Sequence, residues 1–146
     1  YNTPHRFTVQ VNYPNDVLLE ITSEGRNGIL VEGTQGRIFV NRGTIAGKPI
    51  EELENNPLPG GWLEDMYGGP VVEHVNNFFD CIASRKKPAS DVLTHVASIN
   101  TCHLSNIAIR LNRQLQWDAI TQTIKDDAVA NAMLKRDFRK GYEIEL

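Results

Sequence analysis

Gly28-Ile-Leu-Val-Glu-Gly-Thr-Gln-Gly-Arg-Ile-Phe-Val-Asn41 reads as two short apolar runs, Gly28–Glu32 and Arg37–Asn41, joined by Gly33-Thr-Gln-Gly36. Runs of this length, rich in β-branched and aromatic residues and split by a glycine-bounded link, spell a hairpin. Toward the amino terminus the same grammar continues. Phe7, Val9 and Val11 alternate with Thr8, Gln10 and Asn12, and Tyr13-Pro-Asn-Asp16 then breaks the run at a turn. Val17-Leu-Leu-Glu-Ile21 follows, closed by Ser23-Glu-Gly-Arg-Asn-Gly28, whose glycines and asparagine accept the positive φ of a reversal. The expectation is four strands in an antiparallel meander.

Beyond Asn41 the composition shifts. Residues 42–70 hold six of the chain's eleven glycines and four of its seven prolines, the signature of a long irregular excursion. Loops of that length inside a domain are usually functional or interfacial, and this one carries Trp62, Met66 and Tyr67. From Pro70 the period becomes helical. Val71, Val75, Phe78, Phe79 and Ile82 fall on one face, with Arg85-Lys-Lys87 at the carboxyl end before Pro88. A second helix is expected from a Ser90 or Asp91 cap to about Arg113, with Val92, Val96, Ile99, His103, Ile107 and Leu111 along its buried stripe. Gln114–Trp117 reads as a short strand, Asp126-Asp127 leads into a third helix with Val129, Met133 and Leu134, and Tyr142–Leu146 alternates again as a final strand. The sum is one α+β domain over residues 1–146, a mostly antiparallel open-faced sheet with helices packed on one face.

The chain of 146 residues has the size of one ordinary domain, and its 40% hydrophobic and 23% charged content is that of a globular protein. A net charge of −3 offers no footprint for a phosphate backbone or an anionic bilayer, so neither nucleic acid nor membrane is expected as a partner. No apolar run is long enough to span a bilayer and no signal peptide is recognisable. The first residue is Tyr1, so the chain is read as a fragment. Cys81 and Cys102 lie inside helical patterns without metal-ligand spacing and are expected as buried free thiols.

Motifs that would carry chemistry by themselves are missing: there is no GxGxxG after a strand, no GxxxxGK[ST], no GxSxG and no HExxH. The glycines of Gly33–Gly36 link strand to strand, whereas a phosphate cradle needs a helix amino terminus. Glu51, Glu52 and Glu54 read as a solvated loop, with no paired acid and base. Histidines remain. His95 and His103 are eight residues apart on one expected helix, about 12 Å along its axis, and cannot share a metal ion. His103 is expected on the buried stripe, hydrogen-bonded in the core or turned to a substrate. His74 is expected in the first turn of its helix, where a bound anion or hydroxyl would also meet backbone N–H groups. These two are the substrate-side candidates.

Taken together, Glu32-Gly-Thr-Gln-Gly-Arg-Ile-Phe-Val-Asn-Arg-Gly43, Asn55-Asn-Pro-Leu-Pro59, Glu73-His-Val-Asn-Asn-Phe-Phe-Asp-Cys-Ile-Ala-Ser-Arg85, Pro88-Ala-Ser-Asp91 and Cys102-His-Leu-Ser-Asn-Ile-Ala-Ile-Arg110 resemble the carboxyl-terminal domain of bacterial Gfo/Idh/MocA oxidoreductases, from about Thr3 to Ile144. The resemblance implies an amino-terminal Rossmann domain that binds NAD(P), absent from this chain, and a carbohydrate or polyol substrate. It also implies an open sheet that supports homo-oligomer contacts. The family's Glu-Lys-Pro motif and its catalytic His or Asp have no counterpart here. The chain alone is therefore expected to bind no cofactor, to hold no catalytic residue or metal, and to be inactive, its partners being its own Rossmann domain and further copies of itself.

Two alternatives stand beside this expectation: a stand-alone interaction or ligand-binding module using the open sheet, and part of a relative that uses NAD to assist glycoside cleavage. The compartment is open, since the family has both cytoplasmic and exported members.

Overall fold

The computed structural model describes residues 3–67 and 69–143. In chain order the elements are β1 (Thr8–Asn12), β2 (Leu18–Thr22), β3 (Ile29–Gly33), β4 (Gly36–Val40), β5 (Ile45–Ala46), α1 (Lys48–Glu52), α2 (Trp62–Tyr67), α3 (His74–Ser84), α4 (Val92–Leu111), β6 (Trp117–Asp118), β7 (Thr123–Ile124) and α5 (Ala128–Ala132). The chain folds as two compact units, Tyr1–Glu24 with Val92–Leu146, and Gly25–Asp91. Mixed helices and small antiparallel sheets make it an α+β protein, as the sequence pattern requires.

In the first unit, β1 and β2 pair antiparallel with Val9 opposite Ile21 and Val11 opposite Leu19. The period of two puts these four apolar residues on one face. On the other face Thr8 meets Thr22 at 3.2 Å, and Gln10 donates to Glu20 at 3.2 Å. Tyr13 N–H bonds the Val17 carbonyl across the turn, with Asp16 in the left-handed region. The core of this unit lies along the carboxyl-terminal half of α4. Ile107, Ile124 and Ala130 are buried, and Leu104, Leu111, Leu115, Trp117 and Met133 pack around them.

Side chains lock that core from outside. The Asp127 carboxylate caps α5 by accepting from the Ala130 N–H at 2.9 Å, and takes a forked pair of bonds from the Arg113 guanidinium at 2.7–3.0 Å. Asn131 grips β7 at both ends of one residue. Its Oδ1 accepts from Ile124 N–H at 2.9 Å, while its Nδ2 donates to the carbonyls of Ile124 and Asp127.

In the second unit β3, β4 and β5 form an antiparallel sheet in that order, with Val31 opposite Ile38 and Glu32 opposite Arg37. Gly33 pairs with Gly36, so Thr34 and Gln35 form the two-residue loop the sequence predicts. Helix α1 packs on β4 and β5. That packing requires glycine at 47, where φ is +139° and an added Cβ would strike the Arg37 carbonyl oxygen. Arg26 stacks over the Phe39 ring, 4.2 Å from its centroid.

Several sequence expectations are corrected. The first four strands do not form one meander: β2 pairs with β1 only, and β3 begins a separate sheet. Residues 42–70 are not structureless, since β5, α1 and α2 lie within them. Helix α3 starts at His74, not Pro70, because Glu73 is still extended at φ −54° and ψ 144°. Tyr142 and Glu143 are not in a strand, and the rest of the expected final strand, 144–146, lies outside the described residues. Both cysteines are free, but Cys81 is only half-buried and Cys102 is exposed.

Candidate functional site

The α3 amino terminus and the loop beyond its carboxyl end come together around a cleft of about 210 Å³ lined by Pro70, Val71, Val72, His74, Asn77, Ala89 and Ser90. Local chemistry builds it. Pro70, Val71 and Val72 lie outside helix and strand, and the helix begins one residue after Glu73, whose carbonyl accepts from Asn77 N–H at 2.9 Å. No side chain caps the helix at Glu73.

The far wall is folded back by a left-handed turn and two side-chain interactions. Arg85 ends α3 in the left-handed conformation at φ 58°. Asn77 Oδ1 accepts from Ala89 N–H at 3.0 Å, tying the loop to the first turn of the helix. Lys87 Nζ lies 3.1 Å from Asp91 Oδ2, and Asp91 is only 7% exposed. Lys87 thus stays largely in solvent while pairing with Asp91 across one turn.

His74 stands at the mouth of this cleft in the first turn of its helix, as the sequence places it. The lining mixes apolar walls (Pro70, Val71, Val72) with an imidazole, an amide and a hydroxyl. That mix suits a small hydroxylated group, and the volume is below that of ordinary ligand pockets. Asn77, Ala89 and Ser90 were missed by sequence reasoning. The Pro88-Ala-Ser-Asp91 turn was the available signal, but only the fold brings it beside His74.

His103 belongs to the other unit and is exposed on α4. Ile107 and Leu111 of the expected stripe do pack in the core, but Leu104 takes the place expected for His103, and Val92, Val96 and Ile99 are exposed. His95 on the same helix is also exposed. Among the described residues no three His, Cys, Asp or Glu side chains gather as a metal site, and no helix is long and apolar enough to cross a membrane. The link Gly33–Gly36 joins two strands, so it offers no helix amino terminus to a dinucleotide pyrophosphate. That link is a hairpin turn and not a phosphate cradle.

Two side chains of the first unit titrate away from their ordinary range. Backbone N–H bonds from Thr121 and Ile120 lower the Asp118 pKa. The Ala130 N–H, then the Arg113 guanidinium, lower that of Asp127. Both carboxylates organise turns and neither borders the cleft.

Comparison with known proteins returns one family. Searches of curated proteins and of solved structures find no match. The family model described as "Oxidoreductase family, C-terminal alpha/beta domain" matches residues 2–144, nearly the whole chain and both units, so this chain belongs to the Gfo/Idh/MocA oxidoreductase family as its C-terminal domain.

Proposed function

We propose that the chain is the substrate-side and oligomerising domain of an NAD(P)-dependent oxidoreductase acting on a sugar, polyol or related carbohydrate. The family match over residues 2–144 carries this reading. The cleft beside His74 supports it, since an imidazole, an amide and a hydroxyl around apolar walls can orient a hydroxylated carbon chain. The cofactor would be held by a separate Rossmann domain of the parent enzyme, and no step of the hydride chemistry is assigned to residues of this chain.

The test is an assay of the parent enzyme with NAD or NADP against a panel of sugars and polyols, following formation of the reduced nicotinamide. The expected result is oxidation of at least one polyol by the parent and none by this chain alone. Turnover by the isolated chain, or a parent inert toward the whole panel, overturns the reading. In an active parent, His74→Gln is expected to raise KM for the carbohydrate roughly tenfold, the cost of one lost hydrogen bond, with KM for the nicotinamide unchanged. The same substitution at His103 tests the other candidate. Unchanged kinetics in either variant removes that residue from the substrate side.

A second reading, an interaction module without chemistry of its own, is favoured by the apolar side chains exposed on β3 and α3. Both readings share a homo-oligomer formed through the sheet. Sedimentation at micromolar concentration is expected to give a dimer or larger species, and a monomer there would argue against the shared interface.

A further inference from the structure

We propose that Asn27-Gly28 is a self-modification site, at which the backbone amide of Gly28 converts the Asn27 side chain to aspartate and isoaspartate in the folded chain. Asn27 is the only asparagine of the sequence followed by glycine, and no aspartate precedes a glycine. The pair lies in the segment that leads into β3, and Asn27 is exposed. Among the described residues, neither the Asn27 carboxamide nor the Gly28 N–H has a hydrogen-bond partner. The register explains the second point. With Gly33 and Gly36 closing a two-residue loop, bonded pairs alternate back through Val31 with Ile38 to Ile29 with Val40. Gly28 falls at a non-bonded position, with its N–H turned away from β4.

The chemistry balances without a cofactor. The Gly28 nitrogen gives its proton to solvent base and bonds to Asn27 Cγ. The bond from Cγ to Nδ2 breaks, and Nδ2 takes a proton and leaves as ammonia. Solvent water then opens the cyclic imide at Cγ, giving isoaspartate by cleavage of one ring bond, or at the other carbonyl, giving aspartate by cleavage of the other. A free amide side chain rotates to the attacking geometry, and glycine leaves the attacking nitrogen unshielded.

The fold itself keeps the reactive residue in place. At Gly28, with φ +156°, an added Cβ would stand 2.5 Å from Phe39 Cζ and 2.7 Å from the Val40 carbonyl oxygen. Arg26 covers the same ring, 4.2 Å from its centroid. Any larger residue that would shield the amide is therefore barred. Isoaspartate lengthens the main chain by one carbon between Arg26 and Gly28, and that length has to be taken up at the first rung of the ladder, Ile29 with Val40.

The experiment ages the full chain in mildly alkaline buffer and follows the tryptic peptide of residues 27–37 by mass spectrometry. An isoaspartyl O-methyltransferase with labelled S-adenosylmethionine measures the isoaspartate formed. The peptide is expected to gain the mass that exchange of –NH2 for –OH brings, with fragmentation placing it at Asn27, and to take up label. The rate is expected to lie within about tenfold of that in urea, because the site needs no opening of the fold. Asn27→Gln keeps a surface amide but must close a larger, slower-forming ring, and is expected to lose both signals. Amide exchange at Ile29 is expected to quicken in the aged chain, with β1 unchanged. No gain at Asn27, a slower folded rate than that bound, or label that survives Asn27→Gln overturns the proposal, and unaltered exchange at Ile29 overturns its effect on β3.

Discussion

The Asp127 carboxylate accepts from the Ala130 N–H and from the Arg113 guanidinium. Because these bonds hold its pKa below the ordinary value, its contribution to stability is complete above the unfolded pKa and is lost as pH falls through the lower folded one. Asp127→Asn keeps a capping oxygen but removes the charge and the titration. The melting temperature of the variant is expected to lie a few degrees below that of the parent chain at neutral pH, with the gap closing as the solution is acidified below the carboxylate range. A gap that widens with acid would contradict the assignment. The cap itself was half legible, since Asp126-Asp127 ahead of an apolar stretch announces a helix start. What the sequence cannot reveal is that Arg113, fourteen residues away, closes on it. Ala130, wholly buried in the same knot, carries no periodic signal that would mark it.

Among elements, those whose pattern is set by local chemistry were readable. The alternation of Phe7, Val9 and Val11 gives half-buried residues against exposed Thr8, Gln10 and Asn12, and α4 ends within two residues of its expected limits. Readability failed where a choice between equivalent neighbours was needed. Nothing in Val17–Ile21 or Gly28–Glu32 says which strand edges meet. On a helix with a broad apolar band, His103 and Leu104 are equally compatible with a stripe that continues through Ile107 and Leu111, and the core formed with Ile124 and Ala130 takes Leu104. The site was legible to the same degree: His74 in a first turn is a local fact, while its juxtaposition with Ala89 and Ser90 is tertiary. Two substitutions probe these elements. Ile124→Ala, at a side chain 2% exposed, is expected to cost about 2–5 kcal/mol in urea unfolding, and a cost under 1 kcal/mol by the same ~2–5 scale would mean that β7 is not central to the core. Gly47→Ala forces a Cβ onto the Arg37 carbonyl at positive φ and is expected to cost more than ~1 kcal/mol, whereas Gly43→Ala, with open space at its Cα, is expected to be nearly neutral.

At the scale of the whole molecule, apolar side chains left in solvent dominate. Val75, Phe78, Phe79 and Ile82 form the predicted stripe of α3, and all four are exposed, Phe79 at 61%. Phe78 and Phe79 meet only edge to face, with ring centroids 5.6 Å apart. A hydrophobic dye added to the chain is expected to brighten strongly on these exposed rows. A dye-silent isolated chain would show these rows to be covered already. The strand β3 adds a second kind of consequence. It lies at the border of its sheet with Ile29, Leu30 and Val31 all open to solvent, and Glu32 is its only charge, so it lacks the lysines, prolines and bulges that usually discourage strand-to-strand recruitment. During heterologous production that border is the place where freshly made chains would template one another into insoluble deposits. Val31→Lys is expected to raise the soluble fraction of such preparations, and an unchanged fraction would show that this edge does not limit it.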